Sequence, residues 1–256
     1  MASHQTAERP AGRPRRARRR GPGWVPNQHG AWGMLASPFV VGVAASSPGW
    51  VHLPLLVLWF VGYFAFFATG LWLKSGRRSR YLPPVRAYTL ASVPFALLVV
   101  VMRPDLVRWV PMFAPLLLAG LWLAARRQDR SLASGLATII AACLMTLVVY
   151  DAGDGSDWSR AWTLTAVLTA YFVGTLLYVK TMIRERESRT YYWLSVGYHA
   201  AVTVAMAWVS WWLVALFALL LLRSVVLPGR GLTPKQVGVP EILANVAVVV
   251  TALLTA

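Results

Sequence analysis

Charge is scarce in this chain, and acidic charge is scarcer still. Only 13% of the 256 residues are charged, whereas a soluble domain has about 25%. Aspartate and glutamate together number 9, against 25 lysines and arginines. So few charges cannot cover a soluble protein of this length, and 57% of the residues are hydrophobic. The composition therefore argues against an ordinary soluble domain and predicts that lipid covers much of the surface.

Cysteine and the common catalytic motifs are also scarce. Cys143 is the single cysteine, so an internal disulfide is excluded. His4, His29, His52 and His199 lack the spacing of metal ligands, and we therefore expect no metal site. The chain has neither a P-loop nor a G-x-S-x-G sequence. No motif in the sequence points to a cofactor.

Long apolar runs dominate the chain instead. A helix needs about 20 mainly apolar residues to span a bilayer. The segments that meet or approach this length are 30–47, 53–73, 86–102, 109–125, 132–150, 160–180, 191–208, 211–227 and 239–256. We therefore predict an all-α fold, a polytopic transmembrane helical bundle of about nine helices.

The seventh and eighth segments come from one apolar run, which extends from Tyr191 to Leu227. This run is too long for a single span but long enough for a tight helical hairpin. The turn is expected near Ser210, which lies between Trp208 and Trp211. Tryptophan favours the headgroup level of a bilayer, which agrees with a turn at this place.

Basic residues alternate between the two ends of the predicted bundle. With the N-terminus in the cytoplasm, 22 of the 25 basic residues fall on the cytoplasmic side. Only Arg103, Arg108 and Arg160 fall outside. The outside loops also carry four aspartates: Asp105, Asp151, Asp154 and Asp157. We expect the last three to be solvated in an outside loop. The positive-inside rule thus predicts a cytoplasmic N-terminus, and nine spans place the C-terminus outside.

Residues 1–25 differ from the rest of the chain because they are polar, proline-rich and crowded with arginine. We predict that they form a disordered cytoplasmic tail and that 26–256 form one transmembrane domain. An arginine-rich tail next to a bilayer is suited to contact anionic headgroups. We therefore expect membrane lipids as partners, and no nucleic acid.

Strongly polar groups inside a membrane are costly, so each is a candidate for function. The first group lies where the chain enters the first helix. Asn27 is placed to cap that helix, which leaves Gln28 and His29 in its first turn, where free N–H groups favour an anion. The alternative is that these residues only cap the helix while Trp24 and Trp32 anchor it at the interface.

The second candidate group lies where the sixth helix leaves the membrane. Lys180, Arg184 and Glu187 follow the spacing i, i+4, i+7 and would share one helical face. Together with Arg186, the two basic residues could clamp a phosphate or carboxylate. The alternative is a solvated helix end whose long side chains reach the headgroups.

The third candidate group is a polar stripe on the seventh helix. Tyr192, Ser195, His199 and Thr203 lie on one face, with Tyr198 beside them. His199 would lie about two turns into the membrane, where a histidine should face the bundle interior. The alternative is hydrogen bonding between helices without a ligand.

The remaining polar candidates have a simpler interpretation. Arg223 lies near a helix end and could only reach toward the headgroups. Glu241 follows Pro240 at the expected start of the last helix, where an acidic residue favours the helix dipole. Asn245 lies one turn further on. Lys74 and the arginines after it are interpreted as a topology signal.

The segment PNQHGAWGMLASPFVVG at 26–42 resembles the opening of the YwiC-like family of bacterial membrane proteins. The resemblance extends along most of the chain and includes RSRYLPPVRAY at 78–88 and GTLLYVKTMIRERESR at 174–189. It implies a multi-pass protein of the bacterial plasma membrane, that is, the inner membrane. It assigns no role to any residue.

Nine helices with cytoplasmic motifs after the second and sixth spans also resemble the UbiA-type prenyltransferases. In that family, aspartate-rich motifs at these places bind magnesium and a prenyl diphosphate. The matching stretches here, 74–86 and 180–189, are basic, and their only acidic residues are Glu185 and Glu187. This departure argues against magnesium-dependent ionisation of a diphosphate. Direct contact of the basic residues with a lipid phosphate is then the expectation.

These observations lead to a hypothesis of a site for an anionic lipid-like small molecule at the cytoplasmic leaflet. Whether this site only binds or also modifies its ligand stays open. The alternatives are a transporter or permease for a small solute and a structural membrane partner without chemistry. The residues expected to bind the ligand are Gln28, His29, Trp32, Lys180, Arg184, Arg186, Tyr198 and His199.

Overall fold

The computed structural model describes residues 23–26 and 29–256, and for 29–30 and 234–235 only the backbone. Within these residues the chain forms nine α-helices, three short 3₁₀ helices and no strand, which confirms the all-α fold. The α-helices are α1 (His29–Ala45), α2 (His52–Lys74), α3 (Leu82–Met102), α4 (Val110–Ala125), α5 (Leu132–Ala152), α6 (Trp158–Ile183), α7 (Arg189–Ala205), α8 (Trp211–Val226) and α9 (Pro234–Thr255). The 3₁₀ helices cover Ser79–Tyr81, Pro104–Trp109 and Met206–Trp208.

Each predicted span corresponds to one of these helices, in the same order. By length and apolar composition, six stretches can cross a membrane: His52–Lys74, Ser79–Met102, Pro104–Ala125, Leu132–Ala152, Trp158–Ile183 and Gln236–Thr255. Two further helices, α1 and α8, are apolar but have only 17 and 16 residues. The hairpin between α7 and α8 turns at Ser210, as predicted, and the Ser210 side chain accepts a hydrogen bond from the Trp212 amide.

Polar side chains cap the first turns of several helices. A cap accepts a hydrogen bond from a backbone N–H that has no partner within the helix, which stabilises the helix by ~1 kcal/mol. The capping residues are Ser131, Asp157, Ser188, Ser210 and Thr233.

The beginning of α9 differs from the sequence interpretation. Thr233 and Gln236 form a reciprocal capping box, so α9 begins at Pro234 rather than at Pro240. Glu241 therefore lies about two turns inside the helix. Its expected role as a first-turn residue that favours the helix dipole is wrong.

The helices pack as two neighbouring groups. In the first region, α1–α5, helix α2 packs against α3 and α4, while α5 packs against α4 and α1. In the second region, α6–α9, consecutive helices pack together and α9 also returns to α6. The regions join where α1 contacts α9 and α5 contacts α6. The close approach of α1 to α5 needs Gly42, because a Cβ there would lie 2.7 Å from the Thr146 carbonyl oxygen.

Alternating connections lie at the two ends of the bundle. We call the basic end the one formed by 75–81, 126–131, 184–188 and 227–233. Side chains tie these connections together: Lys74 pairs with Asp129 at 2.8 Å, and the Arg186 guanidinium donates to the Leu232 carbonyl at 2.8 Å. The opposite end is formed by 46–51, 103–109, 153–157 and 206–210.

Candidate functional site

A cavity of about 690 Å³ lies at the basic end of the first region, between α2, α4 and α5. We call it the polar cavity. A volume of this size is typical of ligand pockets. Its polar and aromatic lining residues are Trp24, Tyr63, Phe66, Phe67, Lys74, Tyr81, Asp129, Arg130, Ser134 and Thr138.

The segment 23–26 covers part of this cavity. Trp24 lines it, the Trp24 carbonyl accepts a hydrogen bond from the Tyr88 hydroxyl at 2.5 Å, and the two rings meet edge to face. Pro26 is buried. Thus a residue that the sequence places in the tail packs onto α3.

A second cavity, of about 480 Å³, lies deeper in the same region. We call it the apolar cavity, because its walls are almost wholly aliphatic and aromatic side chains of α1–α5, such as Trp59, Phe113 and Met145. Tyr63, Phe66 and Thr138 line both cavities, so the two adjoin.

Together, the two cavities have a polar end and an apolar end. Ser134 and Val148 mark their extremes on α5, 14 residues apart in the sequence. At 1.5 Å of rise per residue they extend for about 21 Å along the bundle. Among the described residues, all that line either cavity belong to the first region, its 3₁₀ helices, the connection 126–131 or the segment 23–26.

The charges of the polar cavity are arranged around one ion pair. Lys74 ends α2, and its ammonium lies 2.8 Å from an oxygen of Asp129. Both side chains are about one-third exposed, 34% and 30%, so water screens the pair. Arg130 follows directly and is exposed, so the three residues leave a net positive charge on the wall.

Lys180 supports this wall from behind. Its side chain is buried, and its ammonium donates to the Arg130 carbonyl at 3.1 Å and lies 5.5 Å from the centre of the Tyr191 ring. A buried ammonium is stable only when such groups replace water. Lys180 therefore fixes the connection that carries Asp129 and Arg130.

The other predicted basic residues lie at the surface of the basic end. Arg184 directly follows α6 as its C-cap and is exposed. The Arg186 guanidinium donates to the carbonyls of Met182 and Leu232. The expected helical face with Glu187 does not form, because α6 ends at Ile183.

The polar stripe lies on α7, as predicted, and two of its members are buried. His199 Nδ1 lies 2.7 Å from the Ser195 carbonyl oxygen. The Tyr198 hydroxyl donates to the Ala170 carbonyl of α6 at 3.1 Å. A Cβ on Gly174 would approach His199 Nε2 to 3.0 Å. These side chains therefore join α6 to α7.

The candidate group at the start of α1 is only partly visible. Asn27 and Gln28 lie outside the described residues, as does the side chain of His29. Trp32 is 39% exposed, and its ring contacts Phe60 and Phe64 of α2. These contacts fit the alternative interpretation of Trp32 as an anchor.

A buried ion pair lies within the second region, where the sequence analysis expected only weak candidates. Arg223 of α8 pairs with Glu241 of α9, and the two side chains are only 13% and 12% exposed. The guanidinium lies 4.4 Å from the centre of the Tyr178 ring, and the Thr175 hydroxyl donates to Glu241 at 3.1 Å. This pair connects α6, α8 and α9, so Arg223 does more than reach toward the headgroups.

The opposite end of the bundle is closed by a second network. Asp151 is 6% exposed rather than solvated as expected. Its carboxylate accepts from the Arg108 guanidinium at 2.5 Å and from Trp109 Nε1 at 2.7 Å. Arg103 contacts Asp154 and donates to the carbonyls of 151 and 152. The hydrogen bonds that Arg103 donates to the carboxylate of Asp105 raise the pKa of the Arg103 guanidinium.

Several residues of the cavities went unrecognised in the sequence. Lys74 was interpreted as a topology signal, and Asp129, Arg130, Ser134 and Thr138 were not considered. One signal was present: Asp129 is the single acidic residue among the basic residues of 74–86 and 126–130. Nothing local in the sequence indicated that two helix ends meet there.

Comparison with known proteins identifies the family of this chain. A family model described as "YwiC-like protein" matches residues 25–150, which nearly coincide with the cavity-bearing first region. A protein of Bacillus subtilis (strain 168), "Uncharacterized protein YwiC", is 30% identical over 220 residues, or 86% of this chain and 92% of the relative. An uncharacterized protein of Haemophilus influenzae is 29% identical over 218 residues, or 85% and 92%.

No solved structure matches the chain, so the expected likeness to UbiA-type prenyltransferases stays a prediction. The Bacillus relative aligns with this chain over 92% of the relative's own length. The family model adds an independent match across α1–α5. The chain belongs to the YwiC-like family.

Proposed function

We propose that this protein binds an anionic lipid-like amphiphile, with its headgroup in the polar cavity and its apolar chain in the apolar cavity. The observation that carries the proposal is the junction of the two cavities at Tyr63, Phe66 and Thr138. A polar pocket that continues into an apolar one matches the two parts of an amphiphile.

The charges at the mouth favour an anionic headgroup. Arg130 adds positive charge beside the Lys74–Asp129 pair, and an anion could also recruit Lys74 from Asp129. Two further arginines lie over tryptophan rings at the ends of α2 and α4, at 6.0 Å for Arg77 and 4.6 Å for Arg126. Tryptophan and arginine at helix ends suit the headgroup level.

In this proposal the basic end faces the cytoplasm and the protein resides in the bacterial plasma membrane. The distribution of basic residues supports this orientation, since 22 of 25 would then be cytoplasmic. The polar cavity would open at the cytoplasmic leaflet, and the apolar cavity would lie at the depth of the lipid chains.

The residues predicted from the sequence enter this proposal in two ways. Lys180 acts through the Arg130 carbonyl and positions the wall of the cavity. Direct ligand contacts by Gln28, His29, Arg184 and Arg186 stay a prediction. The contacts of Trp32 with α2, of Tyr198 with α6, and of His199 with Ser195 and with the backbone near Gly174 support structural roles for these three.

The alternative of a permease requires a polar path through the whole bundle. The apolar cavity instead leads to Trp109 and the network around Asp151. Passage of a polar solute would require those contacts to open and the solute to cross an apolar wall. The geometry therefore favours a binding site that opens at one end.

The experiment that tests the proposal measures binding of dodecyl phosphate and of inorganic phosphate to the purified protein by native mass spectrometry. We expect saturable binding of dodecyl phosphate and much weaker binding of inorganic phosphate, which has no chain. Gly62→Leu should weaken dodecyl phosphate about tenfold or more, because excluding even two methylenes costs ~1.6 kcal/mol. Gly62 lines the apolar cavity, and a Cβ there meets no atom within 4 Å.

Gly197→Leu is the matched control. Gly197 is an exposed glycine of α7, and a Cβ there also meets no atom within 4 Å. Both substitutions replace a helical glycine, so both should favour the helix by similar amounts. Equal dodecyl phosphate affinities in the two variants would contradict the proposal.

A further inference from the structure

The apolar cavity ends at a tryptophan. Trp109, the last residue of the second 3₁₀ helix, lines the cavity and is 9% exposed. Leu106 and Val148 lie beside it in the lining. The indole therefore lies at the far end of the cavity, in the path of a chain that enters from the basic end and extends along α5; we call it the floor.

Contacts on its far side hold this indole in place. Trp109 Nε1 donates to Asp151 at 2.7 Å, and Arg108 donates to the other oxygen of the same carboxylate at 2.5 Å. The ring also stacks on Trp158 with 6.2 Å between ring centres, and Tyr150 packs edge to face against Trp158. Moving the indole aside would break a hydrogen bond to a buried carboxylate, so the floor is rigid.

The distance from the neck of the cavities to this floor gives the length of the chain. Thr138 lies at the neck and Val148 at the floor, ten residues apart on α5. This corresponds to about 15 Å along the helix. Half of a bilayer's hydrocarbon core is also about 15 Å thick.

We infer that Trp109 sets an upper limit on the apolar chain of the ligand. The inference rests on the proposed function and deepens it. The ligand class is an anionic amphiphile whose chain has the length of one leaflet, rather than a longer polyprenyl chain. Trp109 is thus a residue that determines specificity for chain length.

The test is a series of octyl, dodecyl, hexadecyl and eicosyl phosphates titrated against the wild-type protein and Trp109→Ala. In the wild type, affinity should rise with chain length and stop rising once the chain reaches the floor. In Trp109→Ala the rise should continue to longer chains. Eicosyl phosphate should then bind about tenfold more tightly than to the wild type, the gain expected when two further methylenes enter the cavity. Octyl phosphate should be unaffected.

Trp158→Ala is the control, because Trp158 stacks on Trp109 from outside the cavity. It should weaken the packing around the floor and leave the length profile unchanged. Trp109→Phe, which retains an aromatic ring, replaces Trp109→Ala if that variant does not fold, and should shift the profile in the same direction by less.

The two proposals fail in different ways. If the wild type binds none of the alkyl phosphates, the proposed function is overturned and this inference with it. If the wild type binds them but both Trp109 variants keep its length profile, only the inference is overturned. A shift of equal size in Trp158→Ala would also overturn it, because the effect would then be general loosening.

Discussion

The two regions of this molecule are built from similar apolar residues, but these residues pack differently in each region. In α6–α9 the side chains interlock, and Leu164, Leu168, Leu213 and Phe217 are at most 2% exposed. In α1–α5 the helices line two adjoining cavities. The second region contains a buried ion pair, whereas the first contains the two cavities.

This difference indicates where a ligand would bind. Tight packing is the normal state of a protein interior, and an unfilled cavity costs stability. A region that retains large cavities is therefore the better candidate for binding. The predictions below test whether the two regions are separate in stability and in binding.

The largest effect on stability is expected in the second region, α6–α9. Glu241→Ala should lower the free energy of unfolding by about 3–5 kcal/mol, because it leaves the Arg223 guanidinium buried without its partner. The double variant with Arg223→Met and Glu241→Leu should recover most of this loss, since no buried charge remains. Unfolding in mixed micelles measures both.

The same variants test the separation of the regions. The double variant should bind dodecyl phosphate as the wild type does, because its changes lie outside the two cavities. Loss of binding in this folded variant would show that the regions are coupled and that binding in α1–α5 depends on α6–α9.

The next largest effect on stability is expected where the first region, α1–α5, meets the opposite end of the bundle. Asp151→Ala removes the acceptor of both Arg108 and Trp109 and should cost about 2–3 kcal/mol. Asp157→Ala, which removes only the cap of α6, should cost ~1 kcal/mol. The same unfolding assay compares the two. Equal losses would mean that the network around Asp151 contributes no more than an ordinary helix cap.

A smaller effect is expected at the mouth of the polar cavity. The sign of the change in affinity for dodecyl phosphate shows which charged group the headgroup contacts. Asp129→Asn should strengthen binding of dodecyl phosphate by up to about fivefold, because it frees Lys74 from a partly exposed ion pair. Lys74→Gln should weaken binding. Titrations at low salt measure both changes. Weaker binding in Asp129→Asn would instead assign the carboxylate itself to the ligand.

The smallest effect is expected from Arg184→Gln. Arg184 is exposed at the end of α6, outside the lining of either cavity, so affinity for dodecyl phosphate should change by less than about twofold. Arg130→Gln is the contrast, because it removes a charge from the wall of the polar cavity. A tenfold loss with Arg184→Gln alone would instead place the headgroup at Arg184, one of the ligand-binding residues that the sequence predicted.

The helices could be predicted because their signals are local. Apolar run length predicted the order of the nine helices found within 29–256, and the polar Ser210, with tryptophans on both sides, placed the turn between α7 and α8. The alternation of basic residues agreed with the same order. Helix starts were less accurate where the capping residue was overlooked, as at Thr233.

The interior could not be predicted in the same way, because it depends on contacts between distant residues. Glu241 has an ion-pair partner 18 residues away, and Lys74 has one 55 residues away. The three arginines that depart from the charge pattern also have specific contacts. Arg103 and Arg108 bind carboxylates, while Arg160 donates to the carbonyls of Leu253 and Ala256.

Photolabelling tests directly whether the chain of the ligand lies in the apolar cavity. A dodecyl phosphate with a diazirine at the end of its chain is bound to the protein, activated by light and located by peptide mass spectrometry. We expect labels to concentrate on the walls of the apolar cavity, at residues such as Phe113 and Met145, and to become much weaker in Gly62→Leu. Labels spread over the lipid-facing surface, or concentrated at α6–α9 around Phe217, would contradict it.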